Sequence, residues 1–168
     1  MKKILLLLFF LCTITSAQET NKFDLSLETM DGETENLSDY LHNGPVYISF
    51  WALWCEPCKS ELKMLQKIYE TYKTQGFTVL AINHDTQKSL AKVKAYVKTQ
   101  QYTLPVFIDP NAQIFEALNG KNIPYSVLFD REGNIVKTRN GYLPGDDKEI
   151  EKDIREAIEK DRKKEVVE

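Results

Sequence analysis

The chain has 168 residues, a formal net charge of −3, 42% apolar and 28% charged residues. That length makes one well-cored domain and is too short for two ordinary ones, and the composition is that of a soluble globular protein. No basic patch rises above the background, which argues against nucleic acid as a partner.

Lys2 and Lys3 precede an unbroken apolar run over residues 4–11, and small residues follow up to Ala17. A positive start, a short apolar stretch and a small-residue end read as a secretory signal over residues 1–17, cleaved after Ala17, with an uncleaved membrane anchor as the alternative. Cys12 is read as an apolar filler inside it, because Phe10 and Leu11 are too bulky for the small residue found before a lipidated cysteine. Cleavage takes two lysines away and moves the formal charge from −3 to −5. The mature chain then keeps two cysteines, Cys55 and Cys58. A disulfide-stapled secreted scaffold would carry more, at other spacings.

Residues 18–22 are a polar, flexible lead-in, and the domain is expected over residues 23–160. Residues 23–27 alternate apolar and polar, Asp31-Gly32 offers a turn, and residues 33–37 return as a second short strand. Residues 38–41 suit one helical turn, ended by Asn43-Gly44-Pro45. The apolar stretch 46–52 reads as a buried strand. Leu62, Leu65, Ile68, Tyr69 and Tyr72 then recur at helical spacing to about Gln75, and Gly76 ends that helix. Residues 77–83 form a second apolar strand, so strand, helix and strand make a right-handed parallel unit.

A second helix is expected over 86–101, with Leu90, Val93 and Val97 on one face, followed by a short strand over 105–108. Asp109-Pro110-Asn111 opens a small helix holding Ile114, Phe115 and Leu118. Residues 125–129 and 135–139 flank a glycine-containing loop as a hairpin. The last helix runs from about Asp146 past Ile158, with Ile150, Ile154 and Ile158 inward, and residues 161–168 are a charged, frayed tail. The fold class is α/β.

Cys55 and Cys58 open the first long helix straight after a buried strand. Two cysteines three apart at such a turn can close a small disulfide ring and release it. The first thiol sits over the free N–H groups and positive dipole end of the helix, which favours thiolate over thiol. Only the thiolate attacks a disulfide. Cys55 is therefore expected to be exposed and nucleophilic, and Cys58, closer to the core, to resolve the mixed disulfide. Glu56 sets a negative charge beside that thiolate and works against the dipole, while Pro57, lacking an N–H, fits the first turn. A less stabilised thiolate makes a less oxidising couple, so the pair leans toward a reductant. Structural zinc needs four ligands, and only His42 and His84 stand beside the two cysteines, without finger-like spacing.

The run Phe50-Trp51-Ala52-x-Trp54-Cys55-x-x-Cys58, with Glu61 beyond it and Ile123-Pro124-Tyr125 before a hairpin strand, resembles exported thioredoxin-like thiol–disulfide oxidoreductases of the TlpA/ResA type. The resemblance covers roughly residues 23–160. It implies a thioredoxin-like central mixed sheet flanked by helices, with an N-terminal β-hairpin and a helix–strand insert near residues 86–108. It also implies a cis Pro124 opposite the disulfide, where an ordinary strand-starting trans proline is the plain alternative. A cis bond there leaves the Ile123 backbone free to pair with an extended substrate. Tyr125 replaces the small residue common in the family and is expected to reshape the substrate groove, and Leu53 replaces a frequent Thr. The resemblance makes Glu61 a buried acid that shuttles the proton of Cys58, against the alternative of a solvated helix glutamate. Trp54, alone among Phe50, Trp51, Trp54 and Phe107, is expected to shape the substrate surface.

The function so implied is protein-disulfide reduction outside the cytoplasm, with apocytochromes before haem attachment among the implied substrates. The partners implied are protein dithiols and disulfides and a membrane-embedded thiol donor that recharges the pair. A monomer without soluble cofactor or metal is expected. Two other classes compete. A thiol peroxidase usually carries Thr or Ser three residues before the reactive cysteine, where this chain has Ala52. A copper-delivery protein would use Cys55, Cys58 and His84, although its cysteines are typically spaced wider.

Overall fold

Strict alternation along one strand decides the architecture. The computed structural model describes residues 25–165, so the signal segment with Cys12, the lead-in, Phe23 and the last three residues of the tail lie outside the described residues. Strand β3 (Val46–Trp51) is buried at every position. Val46, Ile48 and Phe50 join one apolar cluster, Tyr47 and Trp51 the other. A strand covered on both faces belongs mid-sheet, with a layer on each side.

The sheet has seven strands. β1 (Ser26–Thr29) and β2 (Thr34–Asn36) form the N-terminal hairpin, with Gly32 at a positive φ of 86° in its turn. β4 (Thr78–Asn83) and β5 (Val106–Ile108) follow, then the hairpin β6 (Tyr125–Phe129) and β7 (Ile135–Asn140). Their order is β2-β1-β5-β4-β3-β6-β7. β3, β4 and β5 run parallel, whereas β6 is antiparallel to β3, and β1 to β5. The insert docks the N-terminal hairpin, because β5 sits between β4 and β1.

Helices α2 (Glu56–Tyr72), α3 (Leu90–Gln100) and α5 (Asp147–Glu165) pack on the Tyr47–Trp51 face. Helices α1 (Leu37–Leu41) and α4 (Gln113–Ala117) cover the other. The Asp39 carboxylate caps α1 by accepting from the Asn36 N–H at 3.0 Å. Among the described residues, no helix is long and apolar enough to cross a membrane.

Several boundaries differ from expectation. α2 ends at Tyr72 and tightens into a 3-10 turn, Lys73–Gln75. Gly76 follows at φ +88°, and a Cβ there would lie 2.0 Å from the Asn43 carbonyl oxygen, so this position requires glycine. The second helix starts four residues late: Thr86 is extended and Gln87–Ser89 form a 3-10 turn before α3. Of its expected apolar face only Val93 is fully buried, with Leu90 and Val97 half-covered. α5 continues to Glu165, into the stretch expected to fray. Ion pairs Arg131–Asp161 at 3.7 Å and Lys164–Glu132 at 2.5 Å tie this last stretch to the β6–β7 loop.

Candidate active site

Three strand ends meet at one end of the sheet. β3 runs out into Ala52-Leu53-Trp54-Cys55, β4 into His84-Asp85, and Ile123-Pro124 leads into β6 beside them. Cys55 is the N-cap of α2, and its sulfur accepts the Cys58 N–H at 3.3 Å. The two cysteines form a disulfide with sulfurs 2.02 Å and Cα atoms 5.3 Å apart. Pro57 occupies the first turn, as its missing N–H allows.

Cys55 is only 5% exposed, so the expectation of an exposed nucleophile is corrected for this oxidised form. Its sulfur is turned in toward Cys58 and the helix start, and Trp54 beside it carries the exposure at 69%. Cys58 is wholly buried, which keeps the expected order of access. Glu56 does not act alone beside the pair: Lys59 neutralises it at 2.7 Å.

Glu61 lies one turn beyond Cys58 on α2 and is 1% exposed, which removes the alternative of a solvated glutamate. Its Oε2 accepts from Ser49 Oγ at 2.9 Å, and its Oε1 lies 3.4 Å from the Tyr47 hydroxyl. Burial pushes its carboxyl up from 4.5 to about 7, with the Ser49 and Tyr47 hydroxyls opposing that rise. A buried carboxyl raised toward neutrality, one helical turn from Cys58, is suited to general acid–base work.

The sequence reading missed Tyr47, Ser49 and Ser126. Their signal was present: hydroxyl side chains inside two strands that are mostly apolar. Ser49 stands opposite Ser126 in the β3–β6 register. It missed Asp85 as well. Asp85 accepts the Leu53 N–H at 2.8 Å and the Asn83 side-chain N–H at 2.9 Å, which pins the loop ahead of the dithiol to the end of β4.

The Ile123–Pro124 peptide is cis. Pro124 and Ile123 line a groove with Pro57, Tyr142 and Leu143, so the proline loop faces the dithiol turn. Tyr125 does not line it. Its ring is 4% exposed, packs against Phe50 and Phe115, and donates its hydroxyl proton to the Leu118 carbonyl at 2.7 Å. The expectation that Tyr125 shapes the substrate surface is thereby corrected, because strand alternation turns it to the α4 face. His84 packs its ring on Phe115, centroids 4.9 Å apart, on that same face. Among the described residues no group of three His, Cys, Asp or Glu side chains is placed to hold a metal ion, so Cys55, Cys58 and His84 do not form the copper site considered above.

The family model described as AhpC/TSA matches residues 18–138. The chain belongs to the AhpC/TSA family. Thiol-disulfide oxidoreductase ResA of Geobacillus kaustophilus (strain HTA426) is 32% identical over 124 residues, which are 74% of this chain and 70% of that protein. ResA of Bacillus subtilis (strain 168) is 33% identical over 117 residues, 70% of this chain and 64% of that one. A crystal structure from Chlorobium tepidum, described as a thiol:disulfide interchange protein DsbE, aligns with TM-score 0.74 at 29% identity, covering 81% of this chain and 94% of its own. The fold is thioredoxin-like, as the resemblance implied, and the enzyme class of these relatives is the thiol–disulfide oxidoreductase class expected from the sequence.

Proposed function

We propose that this protein is an exported protein-disulfide reductase. The observation that carries the reading is the Cys55–Cys58 pair at the N-cap of α2, with the buried carboxyl of Glu61 one turn behind it. In the reduced protein, the Cys55 thiolate attacks a substrate disulfide, forming a mixed disulfide and releasing one substrate thiolate. Glu61 takes the proton of the Cys58 thiol. The Cys58 thiolate then attacks the Cys55 sulfur, the substrate leaves with its second sulfur reduced, and the protein keeps the disulfide. Two electrons pass from dithiol to substrate. Nothing in that balance calls for a soluble cofactor.

The groove between Pro57 and Ile123-Pro124 supports an extended polypeptide as substrate, its sulfur delivered to Cys55. Trp54 at 69% and Leu143 at 70% exposure offer an apolar margin to such a chain. The signal-like residues 1–17 support a location outside the cytoplasm, where a reductant is steadily oxidised and needs a membrane-embedded thiol donor. Disulfides of exported proteins are the substrate class, apocytochromes awaiting haem among them. Ala52, where a thiol peroxidase has Thr or Ser, favours disulfides over peroxides.

The deciding experiment is the equilibrium potential of residues 18–168 against a dithiothreitol series, read by tryptophan fluorescence. A value near or below about −250 mV is expected for a reductant of this kind. A value near about −120 mV would make the protein an oxidant, and failure of Cys55 and Cys58 to pair at any poise would end the redox reading.

A further inference from the structure

Behind Glu61 lie two hydroxyls that the exchange steps do not use. The Tyr47 Oη sits 2.7 Å from Ser126 Oγ and 3.4 Å from Glu61 Oε1. Ser49 meets the other carboxyl oxygen at 2.9 Å. Tyr47, Ser49, Glu61 and Ser126 are each 2% exposed or less, so their polar atoms depend on partners inside the protein.

A phenol carries one proton and cannot donate to Ser126 and Glu61 together. When Glu61 is ionised, its Oε1 requires a donor. Tyr47 then gives its proton to Oε1 and accepts from the Ser126 hydroxyl. When Glu61 is protonated the direction reverses, with Glu61 donating to Tyr47 and Tyr47 to Ser126. The heavy-atom separations of 2.7 Å to Ser126 and 3.4 Å to Glu61 bring both acceptors within reach of the one Tyr47 hydroxyl. Passing between the two rotates O–H bonds. The one bond to hydrogen made or broken is that of Glu61 itself.

We propose that Tyr47 and Ser126 are positioning residues for Glu61, a two-hydroxyl chain that reverses direction as the carboxyl gains and loses its proton. A group closed off from water thereby titrates with a hydrogen-bond partner in both states. The purpose of the chain rests on the reading of Glu61 as proton acceptor for Cys58; the chain itself does not. The other groups that face Glu61 are Arg139 from β7, which favours the carboxylate, and Asp146 ahead of α5, which disfavours it, with Tyr142 nearby and Cys58 on its own helix. The variants below leave these in place.

The test is carboxyl NMR of the oxidised protein labelled at glutamate, with Glu61 assigned by the signal lost in Glu61→Gln. Tyr47→Phe removes a donor from the carboxylate and is expected to raise the Glu61 titration by about one pH unit. Ser126→Ala costs the ionised state only a bond that Tyr47 accepts, but leaves the phenolic proton of the protonated state without an acceptor, the larger penalty, and is expected to lower the titration by up to about one pH unit. Ser126→Thr keeps the hydroxyl and should match the wild type. Opposite shifts support the chain, because packing alone would give no such pair of signs. Shifts in the same direction, or none, overturn it. Should Tyr47→Phe fail to fold, the Ser126 variants decide: a downward shift restored by Thr supports the chain, and an unmoved Ser126→Ala overturns it. An unchanged Cys58 resolution rate in Glu61→Gln would instead remove Glu61 as the proton acceptor, a separate failure read by a separate assay.

Discussion

Toward α2, strand β3 presents Tyr47, Ser49 and Trp51; toward α1 and α4 it presents Val46, Ile48 and Phe50. All six are buried, yet the first set carries two hydroxyls joined to a carboxyl and the second is wholly apolar. Phe50 packs against Phe115 and Tyr125 at centroid distances of 5.2 and 6.0 Å. On the first face the Tyr47 and Ser49 hydroxyls are tied to Ser126 and Glu61, although the buried Trp51 Nε1 has no partner among the described residues; the second face holds the fold by shape and area. An unpaired buried polar group costs about 1–3 kcal/mol, so the reactive face tolerates change only where hydrogen bonds are kept. The apolar face tolerates change only where volume is kept.

The sharpest way to separate the faces is Phe50→Ala. Truncating this fully buried ring should cost about 3–5 kcal/mol in urea denaturation, with the dithiol potential unchanged. A matching change in potential would mean that the two faces are not independent.

Glu61→Gln probes the reactive face through pH. Burial holds the folded carboxyl at about 7 against an ordinary 4.5, so between those values the folded state keeps a proton that the unfolded chain has lost. The Glu61 contribution to stability is therefore greatest below 4.5, falls as pH rises to about 7, and is level above. The variant should lose this slope, worth on the order of a few kcal/mol across the window, as measured by denaturation at a series of pH values. A slope that survives would place its origin elsewhere.

Tyr125→Phe is the smallest test. Deleting the hydroxyl that reaches Leu118 should cost about 0.5–1.5 kcal/mol and leave the KM for a disulfide substrate untouched. A shift in KM would return Tyr125 to the substrate surface and blur the line between the faces.

Much of the site was legible in advance, because its parts are local. Cys55, Pro57, Cys58 and Glu61 lie within seven residues, and a strand running into a helix already sets a thiol over a helix N-terminus. The strands and helices were found for the same reason, since alternation and helical spacing are read within a short window. The unread parts depend on register. That Ser49 faces Ser126, or that Asp85 reaches back to the Leu53 N–H, follows from which strands pair and with what offset. The direction of Tyr125 was misjudged because one residue along a strand exchanges one face of the sheet for the other.

Gly76 has a consequence for anyone who wishes to redirect this molecule. The loops following β3, β4 and β7 and the one leading into β6 all open at the same pole as the dithiol. At the opposite pole the backbones of 43–44 and 76 touch with no room for a side chain. Grafts, labels and randomised positions are accommodated at the dithiol pole. At the opposite pole, positions 44 and 76 exclude them, because there the chain is a clasp of bare backbone.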